Sequence, residues 1–489
     1  MRTPAFLLLL PLAMAKSGFE SSMGIVDTNR SVSLDPSVQH IPLNPSQIHL
    51  RPPPPRVPSD PKLFVGLSVF RDGYRCAITI LTGFKRATNP TNIVFGVVDQ
   101  VNPSDQKCVD EFCVMAQQEW PDQGECPFRD QIRVDERSAY DSRGPTLARH
   151  HQQKLIQDEE FCLQLDGHSI FTNGWDTNLR NEWEGVGNEM AVLTTYIHHI
   201  HTFVADNGDN VPPKKLDMPH LCTTMRGANG LVRTVGASMI GGSKIPQLEA
   251  LWGAGFSYNK CHAERRVPVD SHTLWVFDGE EFLRASRLWT NGYDMYSPSK
   301  LGSVIYHNYT SVPARFEEVP VDQKIKDREE EMGVNRFKIL MGQPFEGRVS
   351  TMELDKYGFG NVRSFKQYLE FSGVTFEEGK KDAESPDAAS PSILGLSIST
   401  ADWVYKTQAP ASSGITGATT ARLSHGLQAE KGPAYLTTTD STGSSQDLIM
   451  WEQLSSAART ALSTADFGNA KVPMSDTNFQ TKLKKAWPF

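Results

Sequence analysis

The chain has 489 residues, a formal net charge of −8, 39% hydrophobic and 9% aromatic residues. That length can bury one large core or two ordinary ones, and the composition suits a soluble globular protein with polar tails. The mild acidic balance argues against nucleic acid as a partner, because such binders need a basic face.

Arg2 precedes an apolar run from Ala5 to Ala15 that closes on Ala13-Met14-Ala15. The run is too short to span a bilayer, and its small-residue end predicts a signal peptide over 1–15, a short signal anchor being the alternative. No other segment reaches transmembrane length, so the working part is expected in the ER or Golgi lumen or secreted. It is expected in the cytosol if the leader does not function. Residues 16–61 read as a polar, proline-rich spacer ending in Arg51-Pro52-Pro53-Pro54-Pro55-Arg56. Folded character begins at Lys62 and extends to about 380. Residues 381–489, dominated by Ser, Thr, Ala and Gly, read as a largely disordered tail with one helix around 448–462.

Within the folded part, Leu63–Phe70 predicts a buried strand, 74–85 a helix and 92–98 a second strand. A short strand at 132–134 follows, then a helix opened by Pro145. Phe161–Leu165 is a strand, as is 191–196, and 280–290 is an amphipathic helix. A last strand covers 303–306, and a charged, exposed helix covers 320–335. Strands alternating with helices predict an α/β fold with a mainly parallel sheet covered on both faces.

In such folds the ligand crevice lies at the carboxyl ends of the strands. Asp166-Gly167-His168 closes the 161–165 strand and offers two metal-capable side chains there. His307, ending a late strand, is the candidate third ligand. One carboxylate and two imidazoles suit manganese, and less strictly magnesium or zinc. Ser68, Arg71 and Asp72 end the first strand, where Arg71 can meet phosphate and Asp72 a base or ribose, an ordinary surface ion pair being the plainer alternative. Arg143 and Arg149 flank a helix start at Gly144-Pro145 and add positive charge where a diphosphate would sit. Trp252, beside Gly253 and Gly255, can cover a sugar face. Glu280 and Glu281, opening a helix, can bind acceptor hydroxyls or act as base, simple partners of the helix dipole being the plainer alternative. His198, His199 and His201 read as solvated loop residues and not as a metal tract. Asn29 and Asn308 head glycosylation sequons.

Seven cysteines leave an odd one. One pair among Cys108, Cys113 and Cys126 can form a disulfide in an oxidising lumen, while Cys76 and Cys162 read as core.

In order, LFVGLSVFRD, NIVFGVVDQ, DSRGPTLARH, FCLQLDGHSIFTNGWD, VLTTY, WGAGFSYNK, FDGEEFLRASRLWTNGYDMYSP and VIYHNY, with later YGFG and YLEFSG segments, resemble glycosyltransferase family 60 over about residues 62–378. That family contains hydroxyproline and mucin-type polypeptide N-acetylglucosaminyltransferases. The resemblance implies a GT-A fold, a UDP-GlcNAc donor, a divalent metal (most readily Mn2+), retention of anomeric configuration and a protein or glycoprotein acceptor bearing Thr, Ser or hydroxyproline. It makes Asp166 and His168 the metal motif, with His307 added from a similar arrangement in the polypeptide GalNAc-transferases. Arg71, Asp72, Arg143 and Arg149 would line the donor pocket, and Trp252, Glu280 and Glu281 would face sugar and acceptor. The segment 197–215 departs from the proline-rich loop of the family and leaves the acceptor open. Two other classes stand beside this expectation: a non-catalytic sugar-nucleotide or glycan binder on the same fold, and a metal-dependent phosphohydrolase.

Overall fold

A computed structural model describes residues 55–377 except 201–202, 215, 242–243 and 311, together with Asp382 and the strands Asp27–Val32, Leu436–Thr439 and Ser445–Ile449. Its centre is an eight-stranded mixed sheet. In spatial order the strands are Gln247–Glu249, Asp294–Ser297, Ala191–Thr194, Phe256–Lys260, Phe161–Asp166, Leu63–Phe70, Ile93–Val101 and Ile132–Ser138. Four neighbouring pairs run parallel and three antiparallel. This is the mixed, largely parallel α/β architecture that the sequence predicts.

The apolar runs explain the order. Leu63, Val65, Leu67 and Val69 pack on one face of the sheet, against the Gly73–Lys85 helix through Cys76, Ala77, Ile80 and Phe84. Phe64 belongs to a smaller cluster with Cys162 and Cys261 on the other face. A central strand buried on both faces has no alternation to show. Phe256–Lys260 is such a strand, with all five residues buried, and its polar Ser257, Asn259 and Lys260 hide it from a reading of periodicity.

Several boundaries differ from expectation. The late strand is Ile305–His307, and it pairs antiparallel with Ser169–Phe171 in a separate ribbon, not in the main sheet. The charged helix runs Gln323–Leu340, and its last turns, with Phe337, Ile339 and Leu340, are buried. Helices Cys108–Glu119 and Trp175–Val186 and the hairpin Asp217–Arg226/Val232–Gly241 were not foreseen. The signal peptide and most of the spacer lie outside the described residues, as does most of the tail. The helix expected from 448 begins inside the strand Ser445–Ile449.

Three disulfides form: Cys76–Cys108, Cys113–Cys126 and Cys162–Cys261. Cys76 and Cys162 are buried, as expected, but they are cross-linked as well. Cys162 lies opposite Asn259, two residues before Cys261, so strand pairing brings the thiols together. The seventh, Cys222, keeps its thiol 3.7 Å from the Thr223 hydroxyl. Among the described residues no helix is long and apolar enough to cross a membrane.

Candidate functional site

The parallel strands Leu63–Phe70, Ile93–Val101 and Phe161–Asp166 end on one side of the sheet, and a cavity of about 360 Å³ opens beside the first and last of these ends. Asp166 stands at its base. Gly255 faces Asp166 across the strand pair, and a Cβ there would stand 3.0 Å from Asp166 Oδ2, so any side chain would crowd the carboxylate. The short ribbon delivers the third side chain. His307 pairs with Ser169, and the Asn308 amide donates to the His168 carbonyl at 2.9 Å, which seats His307 beside His168.

Asp166, His168 and His307 each present one ligand atom within 4.8 Å of the others. His307 Nε2 donates to Asp166 Oδ2 at 3.2 Å, while its buried Nδ1 has no hydrogen-bond partner. Burial works to raise the Asp166 carboxyl. The hydrogen bond from His307, with His307 and Arg149 nearby, outweighs it and holds the carboxyl well below its usual range. Burial, with His307 adding to it, pushes His168 down to about 3, so its imidazole is neutral. An ionised carboxylate and a neutral imidazole are the forms that ligate metal, and a buried ring nitrogen without a partner marks the group as unfinished. The donor set fits a divalent cation with open positions.

The other expected residues divide. Ser68 and Asp72 line the cavity, but Ser68 donates to Gln152 at 2.7 Å and Asp72 accepts from Arg75 at 2.7 Å. Arg149 also lines it, yet its charge is already committed. Nη1 donates to both oxygens of Glu280 at 2.6 Å, and Nη2 stands 3.4 Å from Asp166 Oδ1. Glu280 is therefore the partner of a buried guanidinium, not a carboxylate open to an acceptor. Burial raises it even against that pairing. Glu281 is the group that faces the cavity in workable form. It accepts from the Tyr196 hydroxyl at 2.6 Å and the Ala254 amide at 2.9 Å, and burial, opposed by these two bonds, pushes it up to about 7.

Three expectations are corrected. Arg71 has a left-handed backbone, φ 52°, and its guanidinium grips Asp105 at 2.7 and 2.9 Å, outside the cavity lining. Arg143 bonds Glu329 at 2.8 Å and lies over the Trp275 ring, also outside the lining. Trp252 is 1% exposed and donates from Nε1 to Ser257, so its indole fills the core and covers no ligand. His198 is packed on Phe203 rather than solvated, and among the described residues neither it nor His199 joins the metal-capable group. His201 is outside the described residues.

Sequence reasoning missed Tyr196, Tyr309, Arg233 and Phe316, all in the cavity wall. Tyr196 ended a run read only as strand, and Tyr309 sat inside a sequon directly after His307. Arg233 comes from the unforeseen hairpin and pairs with Asp278 at 3.3 Å.

Among solved structures, GalNAc-T7 with UDP, GalNAc and Mn2+ is 13% identical (TM-score 0.37, 57% of this chain and 50% of that one). Staphylococcus TarS 1-349 with UDP-GlcNAc is 12% identical (TM-score 0.31, 60% and 78%). Both likenesses are too distant to inform the chemistry. Among curated proteins, two from Phytophthora capsici are similar over 106 residues at 43% identity. NLP effector protein 3 matches over 22% of this chain and 44% of its own length, NLP effector protein 14 over 22% and 78%. The chain thus spans less than half of the first of these relatives. Residues 383–486 match the family described as Necrosis inducing protein (NPP1), a relationship that the Ser/Thr-rich composition did not betray. Residues 62–378, with the whole candidate site, match the family Glycosyltransferase (GlcNAc). The chain belongs to the GlcNAc glycosyltransferases over most of its length, with a segment of the NPP1 family following it.

Proposed function

We propose that residues 62–378 form a metal-dependent retaining transferase of family 60, moving N-acetylglucosamine from UDP-GlcNAc to a Thr, Ser or hydroxyproline hydroxyl of a protein. The observation that carries this reading is the convergence of Asp166, His168 and His307 at the base of a cavity of about 360 Å³, at the carboxyl ends of the strands. Family membership supplies the reaction class.

Asp166, His168 and His307 would hold the divalent cation, most readily Mn2+. When bound, it supplies positive charge to the departing diphosphate. Arg71 and Arg143 are paired outside the cavity lining and Arg149 is held by Glu280 within it, so a cation at this group would carry charge neutralisation that those pairings take from the arginines. The acceptor hydroxyl attacks the anomeric carbon from the leaving-group side as the C1–O bond to UDP breaks, its proton passing to the departing phosphate oxygen, so no protein nucleophile is needed. Glu281, carried on its Tyr196 and Ala254 bonds, is placed to hold the acceptor hydroxyl rather than to be consumed. Three disulfides support a passage through an oxidising compartment, and so the secretory pathway.

A panel of nucleotide sugars assayed for UDP release, with Mn2+ and with EDTA, tests the reading, and mass spectrometry of Ser/Thr/hydroxyproline peptides tests the acceptor. UDP-GlcNAc with Mn2+ should stand out. Asp166→Ala should lower transfer by about 100-fold or more, because metal charge stabilisation amounts to several kcal/mol. Full activity of that variant would sink the assignment. Binding of UDP-GlcNAc without release of UDP would favour a non-catalytic binder.

A further inference from the structure

The pair Arg149–Glu280 lies against the metal-capable group, and its geometry is lopsided. The guanidinium is held by both oxygens of Glu280 at 2.6 Å and only touches Asp166, at 3.4 Å. Both side chains are nearly closed to solvent, Arg149 10% and Glu280 7% exposed. Their positions are fixed by secondary structure. Glu280 sits in the first turn of the Glu280–Thr290 helix, where a carboxylate is favoured, and Arg149 is inside the Pro145–Gln153 helix.

A guanidinium does not shed its proton, and a buried one must be paired. Two carboxylates are within its reach, and Asp166 is one of them. From this we infer that Glu280 is a positioning residue for the metal site: it binds Arg149 so that Asp166 is left available to a divalent cation. Without the Glu280 charge, Arg149 turns its fork onto Asp166, the geometry guanidinium prefers with carboxylate. It then occupies the oxygens that a cation needs. Glu280 acts on the metal through Arg149, not through the acceptor. The inference rests on the metal-site reading above, but on neither the donor nor the acceptor assigned there.

The test is Mn2+ binding to the full chain without nucleotide, read from the electron paramagnetic resonance signal of free Mn2+. Wild type, Glu280→Gln, Glu280→Asp and the double variant Arg149→Met/Glu280→Gln are compared, with far-UV circular dichroism and Tm as controls for folding. Glu280→Gln should raise the Mn2+ dissociation constant by about tenfold. The double variant should return to within about threefold of wild type, because the competing guanidinium has gone with its partner. Glu280→Asp, which keeps the charge, should bind better than Glu280→Gln. A merely structural Glu280 would lower Tm and leave Mn2+ affinity alone. Wild-type affinity in Glu280→Gln, or a double variant no tighter than the single one, overturns the inference. No Mn2+ binding by wild type overturns the metal site itself. UDP release plays no part in the readout, so failure of the transferase reading shows separately.

Discussion

The strands Phe161–Asp166 and Phe256–Lys260 run antiparallel between two charge clusters, and the clusters are built differently. At one end Lys260, 1% exposed, donates to the Glu160 carboxylate and the Arg56 carbonyl. Its ammonium also lies 4.7 Å from the Phe161 ring centroid and 5.3 Å from that of Trp183. Glu189, 3.9 Å away, accepts from the Arg56 amide at 2.7 Å and lies 3.5 Å from His262. No buried polar atom of these side chains lacks a partner. At the other end, Asp166 and His307 face a cavity and a buried ring nitrogen is left over. Burial of charge is common to both ends. What separates a site from a brace is the metal-capable group that lines a cavity at one end, where the other end closes on its own partners.

The sharpest way to break this comparison is to cut each cluster and exchange the readouts. Asp166→Ala should lose transfer as stated above far more than it lowers the unfolding midpoint. Lys260→Met should do the reverse. Removing one partner of a buried ion cluster costs on the order of 3 kcal/mol, so the urea midpoint should fall clearly, while turnover per folded molecule stays near wild type. A large loss of turnover in Lys260→Met at full stability would mean that the brace end takes part in the chemistry.

The next effect is in pH and has opposite signs in two places. His220 is buried against Ser297, and burial lowers it to about 4. Its unfolded value is 6.5, so below that pH the unfolded chain takes up a proton that the folded one refuses. Stability is therefore lost as pH falls from about 6.5 to 4, by roughly 3 kcal/mol in full. Glu281 is raised to about 7, so the folded state keeps a proton that the unfolded state releases. Here stability is lost as pH rises from about 4.5 to 7, by roughly 3 kcal/mol in full. Thermal melts between pH 4 and 8 should show His220→Gln flattening the acid limb and Glu281→Gln the limb towards neutrality. Parallel curves for both variants would refute the assigned shifts.

The same contrast explains how far the sequence could be read. Strands 63–70 and 161–166 are continuous apolar runs, so their ends, and with them Asp166 and His168, could be placed from residue types alone. His307 follows because it too closes a short apolar run, although nothing in that run shows that it pairs with Ser169–Phe171 in a ribbon of its own. The rest depends on partners far away in the chain. Arg149 meets Glu280 across 131 residues, and no spacing rule couples two helix starts at that distance. Trp252 carried a glycine-rich context that suits a ligand wall or a tight core equally, and packing decided for the core. The Lys260 brace left no mark at all, since a lysine beside Asn and Cys reads as surface. Tyr196 and Ala254 come together on the Glu281 carboxylate, and Thr194 bonds the Phe256 carbonyl of a strand whose polar residues conceal it.

Arg71 gives the smallest expected effect and a decision about the diphosphate. It ends a strand beside Asp72, where a phosphate-binding arginine is expected, and the left-handed turn at φ 52° sends it to Asp105 instead. A half-exposed pair of this kind contributes about 1 kcal/mol or less. Arg71→Ala should thus change stability slightly and the KM for UDP-GlcNAc by less than about threefold, as should Arg143→Ala, whose partner is Glu329. That outcome leaves the diphosphate to the Asp166, His168 and His307 group. A loss in kcat/KM of about 100-fold in Arg71→Ala would mean that the guanidinium leaves Asp105 for the donor. The cation would then share its charge-neutralising role with the first strand, and the division between an unfinished site and finished ion pairs would have to be redrawn at Arg71.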